Sequence, residues 1–509
     1  MRSAATTMTG YREDWTPLLA DLKHRQAAGG AMGGAGKLTR YGAAGRPNAR
    51  QRVEMVLDEG SFVEIGRLAG SDTIPADAFV GGHGTIDARP VLVGAEDFTV
   101  AGGSIGVAAA SKRARLATLA RQERVPLIMI LEGAGHRATN ALGHHRPAPN
   151  DLQLMADLAG LVPTVAVVVG PSAGHGALAA PLSDFVVMVR DSGALFAAGP
   201  PLVEAATGER IGKQELGGAA AHCRDSGVAD NAVATDAEAL QMVRRFLSYL
   251  PGNAWQLPPH VSTDDGRRQV EALLDLIPPR HRTGYDMRMV LDAVADAGSV
   301  FELAPEHGGS VITAFARMGG HSVAIVANQP LVLAGSLDVA AAEKATRFLQ
   351  LAGAFHVPVV LLADNPGVLA GSASERAGIL RAGARMFAAQ RRLRVPKFHV
   401  TIRKAFGFGS SVMAMNSYDA QTVSLAFPGS TIGGIPASVG GQTAKEDEQT
   451  QQALLDNETS GPWRLAASVT YDEVIDPRQL RNRLLDGLRL AAARLEGPVQ
   501  PVTHTGYLP

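Results

Sequence analysis

The sequence predicts an α/β protein built from two copies of one fold. Three observations carry this: an internal repeat, apolar strands alternating with alanine-rich helices, and glycine turns at the strand ends. Residues 103–135 (GSIGVAAASKRARLATLARQERVPLIMILEGAG) match 335–367 (GSLDVAAAEKATRFLQLAGAFHVPVVLLADNPG) without a gap at a constant offset of 232, with 13 of 33 positions identical. The identities include Gly103/Gly335, Ser104/Ser336, Lys112/Lys344, Arg115/Arg347 and the Val-Pro pairs at 125–126 and 357–358; Glu132 answers Asp364. After one extra residue, 162–178 matches 395–411, placing Gly174 opposite Gly407 and Gly176 opposite Gly409. Upstream, GSFVEI (60–65) answers GSVFEL (298–303). In each copy a Gly-Ser turn leads into a helix (107–122; 339–355). A Val-Pro break then opens an apolar strand (125–131; 357–363), which ends in an acidic-glycine loop.

A chain of 509 residues is too long for one core, since single domains stop growing at about 250–300 residues. The stretch 252–280 is rich in proline and charge, as linkers often are, so the expected halves are 1–260 and 261–509. A net charge of −1 offers no electrostatic reason for a nucleic-acid or membrane partner. The single cysteine, Cys223, excludes an intramolecular disulfide and a four-cysteine zinc ribbon, and reads as a structural thiol. The N-terminal residues lack a signal-peptide pattern, and no apolar run reaches the roughly 18–20 residues of a membrane span. A cytoplasmic location is expected.

Glycine is abundant, at 57 residues, as a site built from backbone N–H groups requires. Each half carries two glycine turns between a strand and a helix. They are Gly102-Gly103-Ser104 with Gly174-His175-Gly176, and Gly335-Ser336 with Gly407-Phe408-Gly409. Such turns leave N–H groups unpaired at a helix start, where negative charge is favoured. One G-x-G alone is no more than a tight turn; two equivalent pairs suggest two oxyanion holes. Other motifs carry less. GGAGKLT (33–39) has Leu38 where a phosphate-binding loop needs Ser or Thr. His136, His144, His145 and His175 lack ligand spacing and read as loop histidines, so no metal is expected. Ser104 and Ser411 have no Asp/His signature for a nucleophilic triad.

These segments resemble the β-subunits of propionyl-CoA, acetyl-CoA and methylcrotonyl-CoA carboxylases along most of the chain. TGERIGKQELGGAAAH (207–222) and VANQPLVLAGSLDVAAAEKATRFL (326–349) are the most specific runs. The resemblance implies two tandem crotonase (ClpP-like) β-β-α superhelix domains. It also implies transfer of CO2 from carboxybiotin to the α or vinylogous carbon of an acyl-CoA, through an enolate in an oxyanion hole. Carried over by position, Gly174 and His175 would serve the acyl-CoA hole, with Gly102, Gly103, Ser104, Gly135 and Ser411 binding substrate. Gly407, Phe408 and Gly409 would form the biotin hole, with Gly335, Ser336 and Gly367 binding the cofactor. The biotinyl A-M-K-M motif and an ATP-grasp signature are absent from the chain. Biotin carboxylase and biotin carboxyl carrier are thus expected on other chains, with CoA entering as part of the substrate. A homo-oligomer, a hexamer in the family, is expected.

Three segments depart from the family pattern: Glu132–Arg137 where DSGGAR is usual, Gly407–Met413 where GGAYDVM or GGAYCVM is usual, and 426–443. A small Ser411 at the acyl end of the pocket points to an acyl group larger than acetyl. Three alternatives stay open: a biotin-dependent decarboxylase subunit; a crotonase-type hydratase, isomerase or hydrolase using a side chain such as Glu132; and a non-catalytic scaffold.

Overall fold

A computed structural model describes residues 11–142 and 150–502. Of the expected histidine cluster, His144 and His145 lie outside the described residues. The first sheet contains β1 (Val63–Glu64), β2 (Phe79–Ile86), β3 (Arg89–Glu96), β4 (Leu127–Gly133), β5 (Thr164–Ala173), β6 (Phe185–Val189), β7 (Ala194–Phe196) and β8 (Asn231–Val233). Its order is β1-β2-β3-β4-β5-β6-β8, with β7 paired to β5. The second contains β9 (Phe301–Leu303), β10 (Val311–Met318), β11 (His321–Asn328), β12 (Val359–Asn365), β13 (Lys397–Phe406), β14 (Val423–Ala426), β15 (Thr431–Gly433) and β16 (Glu473–Val474). Its order is β16-β14-β13-β12-β11-β10-β9, with β15 on β13. The two sheets therefore repeat one topology strand for strand.

In each sheet the first three strands are antiparallel and the others parallel. Local chemistry explains the switch. β2 and β3 are joined by Asp87-Ala88 and β10 and β11 by Gly319-Gly320, all four at positive φ, as a two-residue hairpin requires. Parallel neighbours need a crossover instead, and a helix supplies it. The helices that position the site are α1 (Ala49–Val56), α2 (Val107–Glu123), α3 (Asp151–Ala156), α4 (Asp236–Tyr249), α5 (Val339–Ala354), α6 (Ile379–Arg391) and α7 (Gly407–Val412). α2 ends on Arg124 in a left-handed conformation, and Pro126 prevents its continuation into β4.

Strand alternation sends Ile128 and Ile130 of β4 to one core cluster and Leu127, Met129 and Leu131 to another, so both faces of this sheet are buried. α4 joins the halves. Its start carries a Thr235–Glu238 capping box. Its Phe246 stacks on Phe185 at 4.6 Å and meets Phe315 of the second sheet edge-on at 6.1 Å. Phe315 in turn packs on Phe348 of α5 at 4.9 Å. A continuous apolar layer thus crosses from one sheet to the other. Among the described residues no helix is long and apolar enough to cross a membrane.

Candidate active site

The register of β4 against β5 shifts between Leu131 and Gly133, and that of β12 against β13 between Ala363 and Asn365. At these equivalent points the strands part and release the loops after Glu132 and Asp364. The bridges Ile105–His136 and Leu337–Val368 tie each loop to the turn before α2 or α5.

The glycines interlock there. A Cβ on Gly103 would lie 2.3 Å from the Glu132 carbonyl oxygen, and one on Gly135 would lie 2.5 Å from that of Ala173. In the second half a Cβ on Gly335 would lie 2.3 Å from the Asp364 carbonyl oxygen, and one on Gly409 would lie 2.7 Å from Gly367 Cα. The structure therefore brings Gly102, Gly103, Ser104, Gly135, Gly174 and His175 to one strand-end cluster. It brings Gly335, Ser336, Gly367, Gly407, Phe408 and Gly409 to another. Ser411 lies one turn further along α7, its hydroxyl donating to Asn416 Oδ1 at 3.1 Å.

Hydrogen bonding decides which of these residues have an N–H to offer. The N–H of Gly174 donates to the Phe196 carbonyl at 2.9 Å. Those of Gly103 and Ser104 close a turn onto Val100 and Ala101, and those of Gly335 and Ser336 onto Val332 and Leu333. With their N–H groups spent in this way, these residues shape the turns, several at positive φ (Gly174 at 56°, Gly103 at 67°, Gly335 at 84°). Among the described residues no hydrogen bond occupies the N–H of His175. In the second half Phe408 and Gly409 lie in the first turn of α7, which has no side-chain cap and leaves those N–H groups without helical partners.

The acidic residues at the two strand ends are structural. Glu132 is buried; it accepts from Arg52 at 2.6 Å and from the Tyr41 hydroxyl, and it forms an ion pair with Arg46 at 2.8 Å. Arg52 reaches on to Asp236 at 2.7 Å. Its counterpart Asp364 accepts from Tyr285 Oη at 2.9 Å and Arg403 Nε at 2.8 Å. Glu132 is therefore committed to two arginines and a tyrosine rather than free as an acid or base for hydratase-type chemistry. Arg137 also has a bracing role: it donates to Asp77 at 2.6 Å and to the Ser104 carbonyl at 2.8 Å.

Sequence reasoning missed one group of side chains. His175 Nε2 lies 2.5 Å from Asp151 Oδ1, Asp151 Oδ2 accepts from Arg113 at 2.6 Å, and Arg113 pairs with Glu96 at 2.9 Å. Burial pushes the Asp151 carboxyl up, but the His175 hydrogen bond and the Arg113 charge outweigh it and hold it at about 2, against an ordinary 3.8. Its folded value lies below its unfolded one. It therefore adds stability present above pH 3.8 and lost as the pH falls toward about 2. The stability gap between wild type and Asp151→Asn, followed by chemical denaturation, is expected to narrow across that window; a gap independent of pH would contradict the assignment. Elsewhere, burial pushes the Cys223 thiol up to about 12, which keeps it protonated and inert. Among the described residues no group of three or more His, Cys, Asp or Glu could hold a metal ion.

Residues 41–503 match the family model described as the carboxyl transferase domain. The α subunit of methylmalonyl-CoA decarboxylase from Veillonella parvula is 35% identical over 92% of this chain and 94% of its own length. The propionyl-CoA carboxylase β chain of Roseobacter denitrificans is also 35% identical, over 92% of this chain and 95% of its own. Among solved structures, transcarboxylase 12S, a hexamer crystallised with methylmalonyl-coenzyme A bound, superposes with a TM-score of 0.89 at 30% identity, covering 97% of this chain and 99% of that one. With two crotonase-like sheets of one topology and a match along nearly its whole length, the chain belongs to the carboxyltransferase family of the acyl-CoA carboxylases.

Proposed function

We propose that this chain is the carboxyltransferase subunit of a biotin-dependent acyl-CoA carboxylase, with an acyl-CoA hole in residues 1–260 and a biotin hole in residues 261–509. The observation that carries this reading is the duplication of one interlocked glycine cluster at equivalent strand ends.

Each half has its own task. In the first, the His175 N–H meets the thioester oxygen as charge moves onto it, while Gly102, Gly103, Ser104 and Gly135 hold the turn that receives the acyl group. In the second, the Phe408 and Gly409 N–H groups would hold the ureido oxygen, and Gly335, Ser336 and Gly367 would line that side of the cluster. The cofactor fits this cradle on steric grounds: a Cβ on Gly409 would fill it, 2.4 Å from Asn365 Oδ1. Carboxybiotin, delivered on a carrier protein, supplies the CO2 and a ureido nitrogen able to take the α-proton. Preformed donors of this kind are typically worth about 10²–10³ in rate each. The biotin carboxylase and biotin carrier come from other chains, and the working assembly is a homo-hexamer in the cytoplasm.

Turnover of carboxyacyl-CoA thioesters by the purified protein with free biotin tests the reading. Biotin-dependent loss of CO2 from at least one member of a malonyl-type panel is expected; turnover of enoyl-CoA or hydrolysis of acyl-CoA without biotin would refute it. The resemblance to a methylmalonyl-CoA decarboxylase subunit favours one second reading, the same chemistry run toward decarboxylation. Co-purification with a biotin carboxylase or with a membrane decarboxylase subunit separates the two.

The acyl pocket has its own test. Ser411 is half-buried and small, and filling its place removes volume. Ser411→Phe is expected to lower kcat/KM for the longest accepted acyl chain about tenfold relative to acetyl-CoA. An unchanged ratio would remove Ser411 from the pocket.

A further inference from the structure

We propose that Lys404 is a positioning residue of the second hole. Its ammonium stands in for a backbone N–H that Pro366 cannot supply, and it ties the turn at 333–336 to the strand that leads into Gly407, Phe408 and Gly409. This rests on the assignment of the second half to biotin.

The molecule contains its own control, because both halves build the same turn. Three consecutive residues lie at positive φ in each: Ala101, Gly102 and Gly103 at 47°, 64° and 67°, and Leu333, Ala334 and Gly335 at 50°, 54° and 84°. In the first half the middle residue is glycine, which adopts this conformation freely, and its carbonyl accepts from the Ala134 N–H at 3.0 Å. That bond fastens the turn to the loop after β4. In the second half both features change. The middle residue is Ala334, whose Cβ makes left-handed backbone unfavourable, and the residue opposite Ala134 is Pro366, which has no N–H. The more strained turn has thus lost the bond that holds its counterpart.

Lys404 replaces it. Its Nζ donates to the Ala334 carbonyl at 2.9 Å. Opposite Lys404 in the repeat stands Pro171, whose side chain has no donor to offer. The exchange is reciprocal: an N–H at Ala134 goes with a proline at 171, and a proline at 366 goes with a lysine at 404. The ammonium has little freedom. The Lys404 side chain is only 9% exposed, and Nζ lies 3.6 Å from the fully buried Asp364 carboxylate, which Tyr285 and Arg403 hold in place. Lys404 also sits on β13, three residues before Gly407. One side chain therefore joins the turn that carries Gly335 and Ser336 to the strand that sets the Phe408 and Gly409 donors. Without it the Ala334 carbonyl loses this donor, and the turn can relax away from the hole.

The test is the KM for free biotin, measured with the malonyl-type thioester that the wild-type protein turns over. Lys404→Met keeps most of the side-chain volume and removes the donor. It is expected to raise that KM about tenfold, the size of one hydrogen bond to a charged group, with a much smaller change in kcat. Adding Pro366→Ala returns the N–H that the first half uses, and the double variant should recover most of the wild-type KM. General loosening of the fold would not be undone by one N–H in the neighbouring loop. A wild-type KM for biotin in Lys404→Met, or a raised KM that Pro366→Ala leaves unrepaired, would overturn the proposal while leaving the carboxyltransferase reading intact. If Lys404→Met does not fold, the double variant decides: a folded protein with a near-wild-type KM supports the proposal, and failure to fold overturns it. A wild-type protein without biotin-dependent turnover overturns both.

Discussion

Gly409→Val is expected to abolish biotin-dependent turnover without unfolding the protein. A Cβ at this position would lie 2.4 Å from Asn365 Oδ1, 2.7 Å from Gly367 Cα and 2.8 Å from the Gly367 carbonyl carbon. Two of those atoms are backbone, and the third is locked: Asn365 Oδ1 accepts from the Gly367 N–H at 3.1 Å, and its amide donates to Asn328 at 3.1 Å. No rotamer change relieves the clash, so the turn that opens α7 must move away from the loop after β12. Displacing one positioned donor costs about 10²–10³ in rate, and here the Phe408 and Gly409 donors move together. The loss should appear in biotin-dependent turnover. Gly174→Val is a useful contrast. Its Cβ would meet nothing closer than the Ala197 carbonyl oxygen at 3.9 Å, so its cost comes from the positive φ of 56°, about 1–2 kcal/mol of backbone strain. The second-half variant should therefore be the more damaged. Wild-type turnover in Gly409→Val would refute the biotin-side hole.

Arg52→Met is expected to be the most destabilising of the single changes named here. Arg52 is fully buried and bridges Glu132 of β4 to Asp236 at the start of α4. Methionine fills much of the volume but leaves Asp236 without this partner and Glu132 with only Arg46 and Tyr41. Removing one member of a buried ion pair typically costs about 3–5 kcal/mol, because the partner charge stays desolvated. α4 also carries Phe246 into the layer between the sheets, so the damage should reach the second half. Thermal unfolding followed by circular dichroism should show a lowered midpoint; an unchanged midpoint would mean that the ion-pair network is not holding α4 in place.

The alternating apolar runs, the Val-Pro breaks and the repeat at an offset of 232 were legible as two copies of an α/β fold, and the two sheets follow that repeat strand for strand. The expected helices at 107–122 and 339–355 agree with the observed spans to within one residue. These are local properties: periodicity and proline chemistry act on neighbours in the chain. The glycine clusters could be anticipated for the same reason. A turn at the end of an apolar strand is where backbone must approach backbone, and glycine alone allows it.

What the chain order conceals is which N–H groups are already spent. Gly174 and Gly103 look equivalent to His175 in sequence, yet Phe196 and Val100 occupy their N–H groups, and that depends on how β7 and the preceding turn fold back. The pairing of Asp151 with His175 is hidden likewise, because Asp151 follows an irregular, proline-rich stretch with no periodicity to place it. Tyr41 is separated from Glu132 by 91 positions, and Arg52 from Asp236 by 184. The residues themselves determined the strands, the helices, the duplication and the glycine turns, because short-range sterics and burial patterns suffice for those. Only the tertiary fold decided which carboxylates are neutralised, which turn donors stay open and which histidine acquires a partner, because each depends on side chains meeting across elements far apart in the chain.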